Sequence, residues 1–178
     1  MFDKLNSLRL FFDEPNREFG VREYARTMLI APATASSRLR DLQLEGYLVV
    51  RKDRNVMLYK ADSETGLYKD AKIHSNITKI RASGLMDVII RELHQPLAIF
   101  LFGSFAKGEN MPGSDIDIFV LAHTKKELKL VECEKKIGAA IHLFVHTPKE
   151  IAKLKKTSPN LLNNILNGVR LAGFWEVF

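Results

Sequence analysis

The 178-residue sequence predicts an α+β protein of two modules. Three observations carry this expectation. Short helical patterns followed by a hairpin fill residues 1–62. The text changes character at "DSETGLYKD", residues 62–70. Beyond it, apolar runs of strand length alternate with helical stretches, the pattern of a sheet covered by helices. The expected division is therefore a module over 1–65, a linker over 66–75 and a second module over 76–178.

In the first module, Leu5, Leu8, Phe11 and Phe12 recur at helical spacing over residues 3–13, and Glu14-Pro15-Asn16 ends that helix. "VREYARTM", residues 21–28, reads as a second helix. A third begins at Pro32, which suits a first helical turn, and leaves at Gly46 with Leu39, Leu42 and Leu44 as its apolar face. "YLVVRKD" and "NVMLYKAD" then read as two strands joined by a turn at Asp53, Arg54 and Asn55.

Helix, helix-turn-helix and hairpin over residues 1–62 resemble the winged helix-turn-helix domains of prokaryotic DNA-binding regulators. The resemblance implies a recognition helix starting at Pro32 and a wing at the hairpin. Thr34, Ser36, Ser37, Arg38 and Arg40 lie on the early turns of that helix, with side chains able to meet phosphates and base edges in a major groove. Arg51, Lys52 and Arg54 cluster at the expected wing tip, where cations meet backbone phosphate. Double-stranded DNA is the expected partner and a homodimer the expected state. A dimerisation or docking module, with the hydroxyls serving only as helix caps, is the competing reading.

The second module reads as one long helix over 76–94, stopped by Gln95-Pro96, then the apolar strand "LAIFLFG". A helix over "KKELKLVECEKKIG" (125–138) follows the strand "DIDIFVL", and a third strand is "AAIHLFVHT". Pro148 starts a short helix, "PNLLNNILNGV" is another, stopped by Gly168, and "RLAGFWEVF" forms a final strand or ordered tail. Between the first two strands stands "GSFAKGENMPGSDIDIFVL", residues 103–121. Residues i and i+2 of a strand share a face, so Asp115 and Asp117 point together while Ile116 turns to the core. Two close carboxylates repel, and one takes up a proton unless a cation neutralises both. A hard divalent ion, Mg²⁺ or Mn²⁺, bound also by phosphate oxygens resolves that conflict. Gly103 permits close backbone approach to a phosphate chain; Ser104 offers a hydroxyl, Lys107 a charge, and a short helix over 104–108 its positive end. The glycines at 103 and 108 have P-loop spacing, but Glu109-Asn110 stand where Lys-Ser/Thr should follow, so that motif is rejected.

Gly103, Ser104, Ala106, Gly108 and "SDIDIFV" from Ser114 closely resemble the signature of minimal nucleotidyltransferases of the DNA polymerase beta-like superfamily, over residues 76–178. The resemblance implies a small α/β domain with a mixed sheet. It also implies metal binding by Asp115 and Asp117, and nucleoside triphosphate binding by Gly103, Ser104, Lys107 and Ser114. The family supplies a third carboxylate from the next core strand, where this chain has His142. That imidazole either takes an active part, as proton acceptor or ligand, or is a polar remnant of a lapsed site. The activity leans to metal-dependent transfer of a nucleoside monophosphate. The alternatives are a regulator or antitoxin-like protein that binds nucleotide, or a separate helical toxin or partner, without turnover, and a docking protein.

Composition sets the outer bounds. Net charge is +6, divided as +2 over residues 1–75 and +4 over 76–178, which permits a nucleic-acid partner without requiring one. There is no apolar run of membrane-spanning length and no signal-peptide pattern, and the single Cys133 fits a reducing cytoplasm. Lys153, Lys155 and Lys156 read as a solvated face, Phe174, Trp175 and Phe178 as packing, and His123 and His146 are too scattered for a zinc site.

Overall fold

In the computed structural model, which describes residues 2–176, the chain divides inside a helix: one compact unit is Met1–Lys72 and the other Ile73–Phe178. The dividing helix spans Gly66–Ala82, so residues 66–75 are its opening turns rather than an irregular linker. Tyr68 shows why: its ring is fully buried and its hydroxyl donates to the Phe11 carbonyl at 2.7 Å, tying those turns into the first core.

The first unit runs α1 (Phe2–Asp13), β1 (Phe19–Gly20), α2 (Val21–Met28), α3 (Pro32–Leu44), β2 (Leu48–Asp53) and β3 (Val56–Ala61). All the elements expected here are present, and β1 is additional. It pairs antiparallel with β3, giving a three-stranded sheet of order β1-β3-β2. Two residues are too short to show a period of two, which hides this strand from sequence reading. Leu8, Phe11, Phe19, Tyr24 and Leu39 are fully buried, each worth about 1.5–3 kcal/mol of burial. The Tyr24 hydroxyl donates to the Ser7 carbonyl at 2.7 Å, so its polar end enters the core satisfied. Leu29 ends α2 with φ 55, and Ile30 N–H bonds back to the Ala25 carbonyl at 3.0 Å, which turns the chain sharply into α3.

The dividing helix is α4 (Gly66–Ala82), followed by α5 (Leu85–Glu92), β4 (Ala98–Phe102), α6 (Gly103–Lys107), β5 (Ile116–Leu121), α7 (Val131–Ile137), β6 (Ile141–His146), α8 (Pro148–Thr157), α9 (Pro159–Leu166) and β7 (Val169–Gly173). Sheet order is β6-β5-β4-β7, with β5 and β6 parallel and the other pairs antiparallel, so the sheet is mixed. Both faces are covered. Ile99, Leu101, Ile116, Ile118 and Val120 pack against Ile80, Leu85 and Ile89. Phe100, Phe102, Phe119 and Leu121 pack against Ile151, Leu154, Leu162 and Ile165. Trp175 stacks on Phe119 at 5.4 Å, as its packing role requires, whereas Phe174 is exposed, contrary to expectation, and Phe178 lies outside the described residues.

Two helices differ from expectation. The single helix over 76–94 is broken at Ser83-Gly84. Ser83 Oγ donates to the Ile80 carbonyl at 2.7 Å and accepts from Leu85 N–H, while Gly84 takes φ 82. A serine that satisfies the ends of two helices outweighs an unbroken apolar period. The helix expected over 125–138 forms only from Val131. Lys125 and Lys126 instead pair with Glu150 and Glu92, on two other elements. No helix among the described residues is long and apolar enough to cross a membrane.

Candidate active site

Strand register assembles the site. Phe102, the last residue of β4, lies opposite Asp117 on antiparallel β5, and Asp117 lies beside His142 on parallel β6. The strand ends therefore bring Gly103, Asp117 and His142 together from three separate stretches of sequence. Two further bonds hold β6 to this register. Ile116 N–H donates to the Ala140 carbonyl, and Ile141 N–H donates to Glu134 Oε1, both at 2.9 Å.

Asp115 stands just before β5, yet its carboxylate converges with that of Asp117. His142 Nε2 is 3.7 Å from Asp115 Oδ2, and Nδ1 is 3.8 Å from Asp117 Oδ1. These separations exceed hydrogen-bond length, so the three groups form an electrostatic cluster and not a closed network. Side-chain exposure is 57% for His142, 46% for Asp115 and 27% for Asp117, so the innermost group is Asp117. Its pKa is raised, first by burial; nearby Asp115 also raises it, and His142 acts the other way. A carboxylate unfavourably placed as an anion is one whose charge a bound cation would stabilise.

Gly103 adopts φ +70, and a Cβ there would lie 2.3 Å from Asp117 Oδ2. The glycine is thus needed twice, for its left-handed backbone and for the carboxylate resting against its Cα. Ser104, half-buried, and Lys107, exposed, follow on α6. The Ser104 carbonyl accepts from Glu109 N–H at 3.0 Å. Ser114 has a structural part: its Oγ accepts from Met111 N–H and its own N–H donates to the Met111 carbonyl, both at 2.9 Å. That double closure, around Pro112 and Gly113 with φ +85, makes the tight turn that delivers Asp115.

Among the described residues no three His, Cys, Asp or Glu side chains form a ready-made metal cluster. The donor set still suits a hard divalent cation. Asp115 and Asp117 are partly exposed carboxylates within 4 Å of the same imidazole, oxygen donors of the kind such an ion takes.

Sequence reading missed Asn76 and Glu134, both of which act on the site's geometry. Asn76 is 4% exposed on α4, between Ile73 and Ile80 on the apolar stripe. A polar residue in that position was the available signal. Glu134 offered none, because its contact with Ile141 depends on how α7 meets β6.

In the first unit, Thr34, Ser36, Ser37 and Arg40 are exposed on α3 and Arg38 is half-exposed. The N-cap of α3 is Ala31, without a side-chain cap, so the hydroxyls are not consumed in capping. Lys52 and Arg54 are exposed on the β2–β3 hairpin, where Arg54 takes φ 52 in the turn. Arg51 differs from expectation. It is already engaged by Glu18, with Nε and Nη2 each 2.6 Å from a carboxylate oxygen, and lies 3.5 Å from Asp53. Its charge is largely compensated within the protein.

Comparison with known proteins bears on the second unit. A solved structure of a candidate nucleotidyltransferase from Sulfolobus solfataricus is 21% identical, covering 46% of this chain and 78% of that one, with a TM-score of 0.31. No curated protein matches the chain. The family model for polymerase beta, nucleotidyltransferase, matches residues 85–173, which is half of the sequence and contains Gly103, Asp115, Asp117 and His142. By that match the chain belongs to the polymerase beta nucleotidyltransferase family.

Proposed function

We propose that the second unit binds a nucleoside triphosphate with Mg²⁺ or Mn²⁺ and transfers its nucleoside monophosphate to an acceptor, and that the first unit binds double-stranded DNA. The observation that carries the first part is the meeting of Asp117 with Gly103 under a converging Asp115. Asp115 and Asp117 would hold the cation, which supplies charge neutralisation for the triphosphate and for pyrophosphate as it leaves. Gly103 lets backbone approach the phosphates, and Ser104 and Lys107 add a hydroxyl and a positive charge beside them. The acceptor oxygen attacks the α-phosphorus, a new P–O bond forms as the bond to pyrophosphate breaks, and His142 takes the acceptor's proton. The register of His142 beside Asp117 supports this role.

Support for DNA binding comes from the order α1, β1, α2, α3, β2, β3, which suits a winged helix, and from exposed Thr34, Ser36, Ser37, Arg40, Lys52 and Arg54. A dimer on a two-fold operator and a reducing cytoplasm are consistent with this reading.

Incubation with labelled triphosphates, Mg²⁺ and candidate acceptors tests the reaction. Transfer by the wild type that vanishes in Asp115→Ala/Asp117→Ala is expected; equal signals from both proteins would overturn it. A second reading has its own support. An imidazole stands where the family places a third acid, which favours a regulator that binds Mg²⁺-nucleotide, or a separate helical partner, without turnover. Calorimetric binding of Mg²⁺-ATP with no transfer to any acceptor selects this alternative.

A further inference from the structure

The nucleotide site is built on two pieces of backbone, the Gly103–Lys107 turn that would face phosphate and the 109–115 loop that carries Asp115. One buried side chain ties them together. Asn76 Nδ2 donates to the Phe105 carbonyl at 3.0 Å and to Asn110 Oδ1 at 2.8 Å. Both amide protons are therefore committed, one to each piece. The first bond satisfies a carbonyl near the end of a five-residue helix, where backbone acceptors lack helical partners. The second fixes the start of the loop that Ser114 closes at its far end. Asn76 is 4% exposed, so water cannot readily replace either bond, and an unmade one would leave a buried polar group unsatisfied.

We infer that Asn76 is a positioning residue: it sets the separation between the phosphate-facing turn and the cation-binding acid, so that metal and triphosphate bind cooperatively. The inference rests on the nucleotide reading above and names the device that couples its two halves. Asn76 lies outside the Gly-Ser and Asp-x-Asp signature, and its two bonds go to Phe105 and Asn110 rather than to a residue proposed to hold either ligand. Its effect should therefore appear in the coupling between ligands rather than in either binding event alone.

The measurement is calorimetric titration of ATP, with Mg²⁺ and with EDTA, into wild type, Asn76→Asp and Asn110→Ala. Asn76→Asp keeps the shape but cannot donate when ionised. Asn110→Ala removes one arm and leaves α4 untouched, which keeps the test available should the buried aspartate impair folding. For the wild type, Mg²⁺ should raise ATP affinity. In both variants that enhancement should fall about tenfold or more, the usual scale for losing an outer-shell support, while affinity in EDTA changes little. Amide exchange of residues 109–115 should quicken in Asn110→Ala, with β4 and β5 unchanged. A wild type that binds no Mg²⁺-ATP sinks the nucleotide reading itself. A wild type with enhancement that both variants retain overturns the role of Asn76 alone, as does an equal loss of affinity with and without Mg²⁺.

Discussion

Gly103→Ala is the sharpest perturbation of the proposed site. The new methyl carbon would lie 2.3 Å from Asp117 Oδ2, against an ordinary contact of 3.4 Å or more, so the carboxylate must retreat by about 1 Å. The substitution also places a Cβ on a backbone with φ +70, a strain of about 1–2 kcal/mol. For a unit of this size that strain lowers Tm by roughly 4–8 °C per kcal/mol. The displaced acid should cost more than stability. A metal ligand moved by about 1 Å no longer shares a cation with Asp115, and Mg²⁺-dependent ATP affinity should fall about 10–100-fold. Gly138→Ala separates the two effects. Gly138 has φ +81 at the end of α7 with nothing within 4 Å of its would-be Cβ. It should show a similar loss of Tm by calorimetric scanning and unchanged Mg²⁺-ATP binding by titration. Gly103→Ala that binds Mg²⁺-ATP as the wild type does would refute the claim that Asp117 and the glycine turn form one site.

Asp117→Asn should abolish Mg²⁺-dependent ATP binding yet raise Tm at pH 7, because it removes a carboxylate whose charged form burial disfavours. The sign follows from the raised pKa: the native state binds that proton more readily than the unfolded chain, so the charged group destabilises above its pKa and the advantage of Asn disappears as pH falls below the usual Asp range. Glu150 has the opposite sign. Lys125 and Thr147 hold its pKa down to about 2, so its contribution is present above the ordinary Glu value and is lost as pH falls towards 2. Melting curves across that acid range should be less pH-dependent for Glu150→Gln than for the wild type. In the first unit, Arg54→Ala should weaken DNA binding and reduce the salt slope by about 0.9, the loss of one phosphate contact, whereas Arg51→Ala should change it less because Glu18 already holds that guanidinium. Mobility shifts over a salt series measure both, and Arg51→Ala with the larger effect would reverse the assignment.

Sequence periodicity alone was enough to place three helices and a hairpin in the first unit and three apolar strands in the second, because those patterns arise from backbone geometry within a few residues; the fourth strand, β7, stood as a strand or an ordered tail. The Asp-x-Asp pair and Gly103 were legible as a candidate site, but the carboxylate that requires the glycine reaches it only through the pairing of β4 with β5. Other features were decided only by the tertiary structure. The capture of Arg51 by Glu18, the setting of His142 beside two acids, and the clasp of Asn76 on Phe105 and Asn110 each join residues that come together through packing or pairing. Register between strands and bonds between residues 29 or 34 positions apart depend on how whole elements dock. No local spacing of side chains encodes that, which is why the motif marked where the chemistry lies while the folded sheet determined which groups face it.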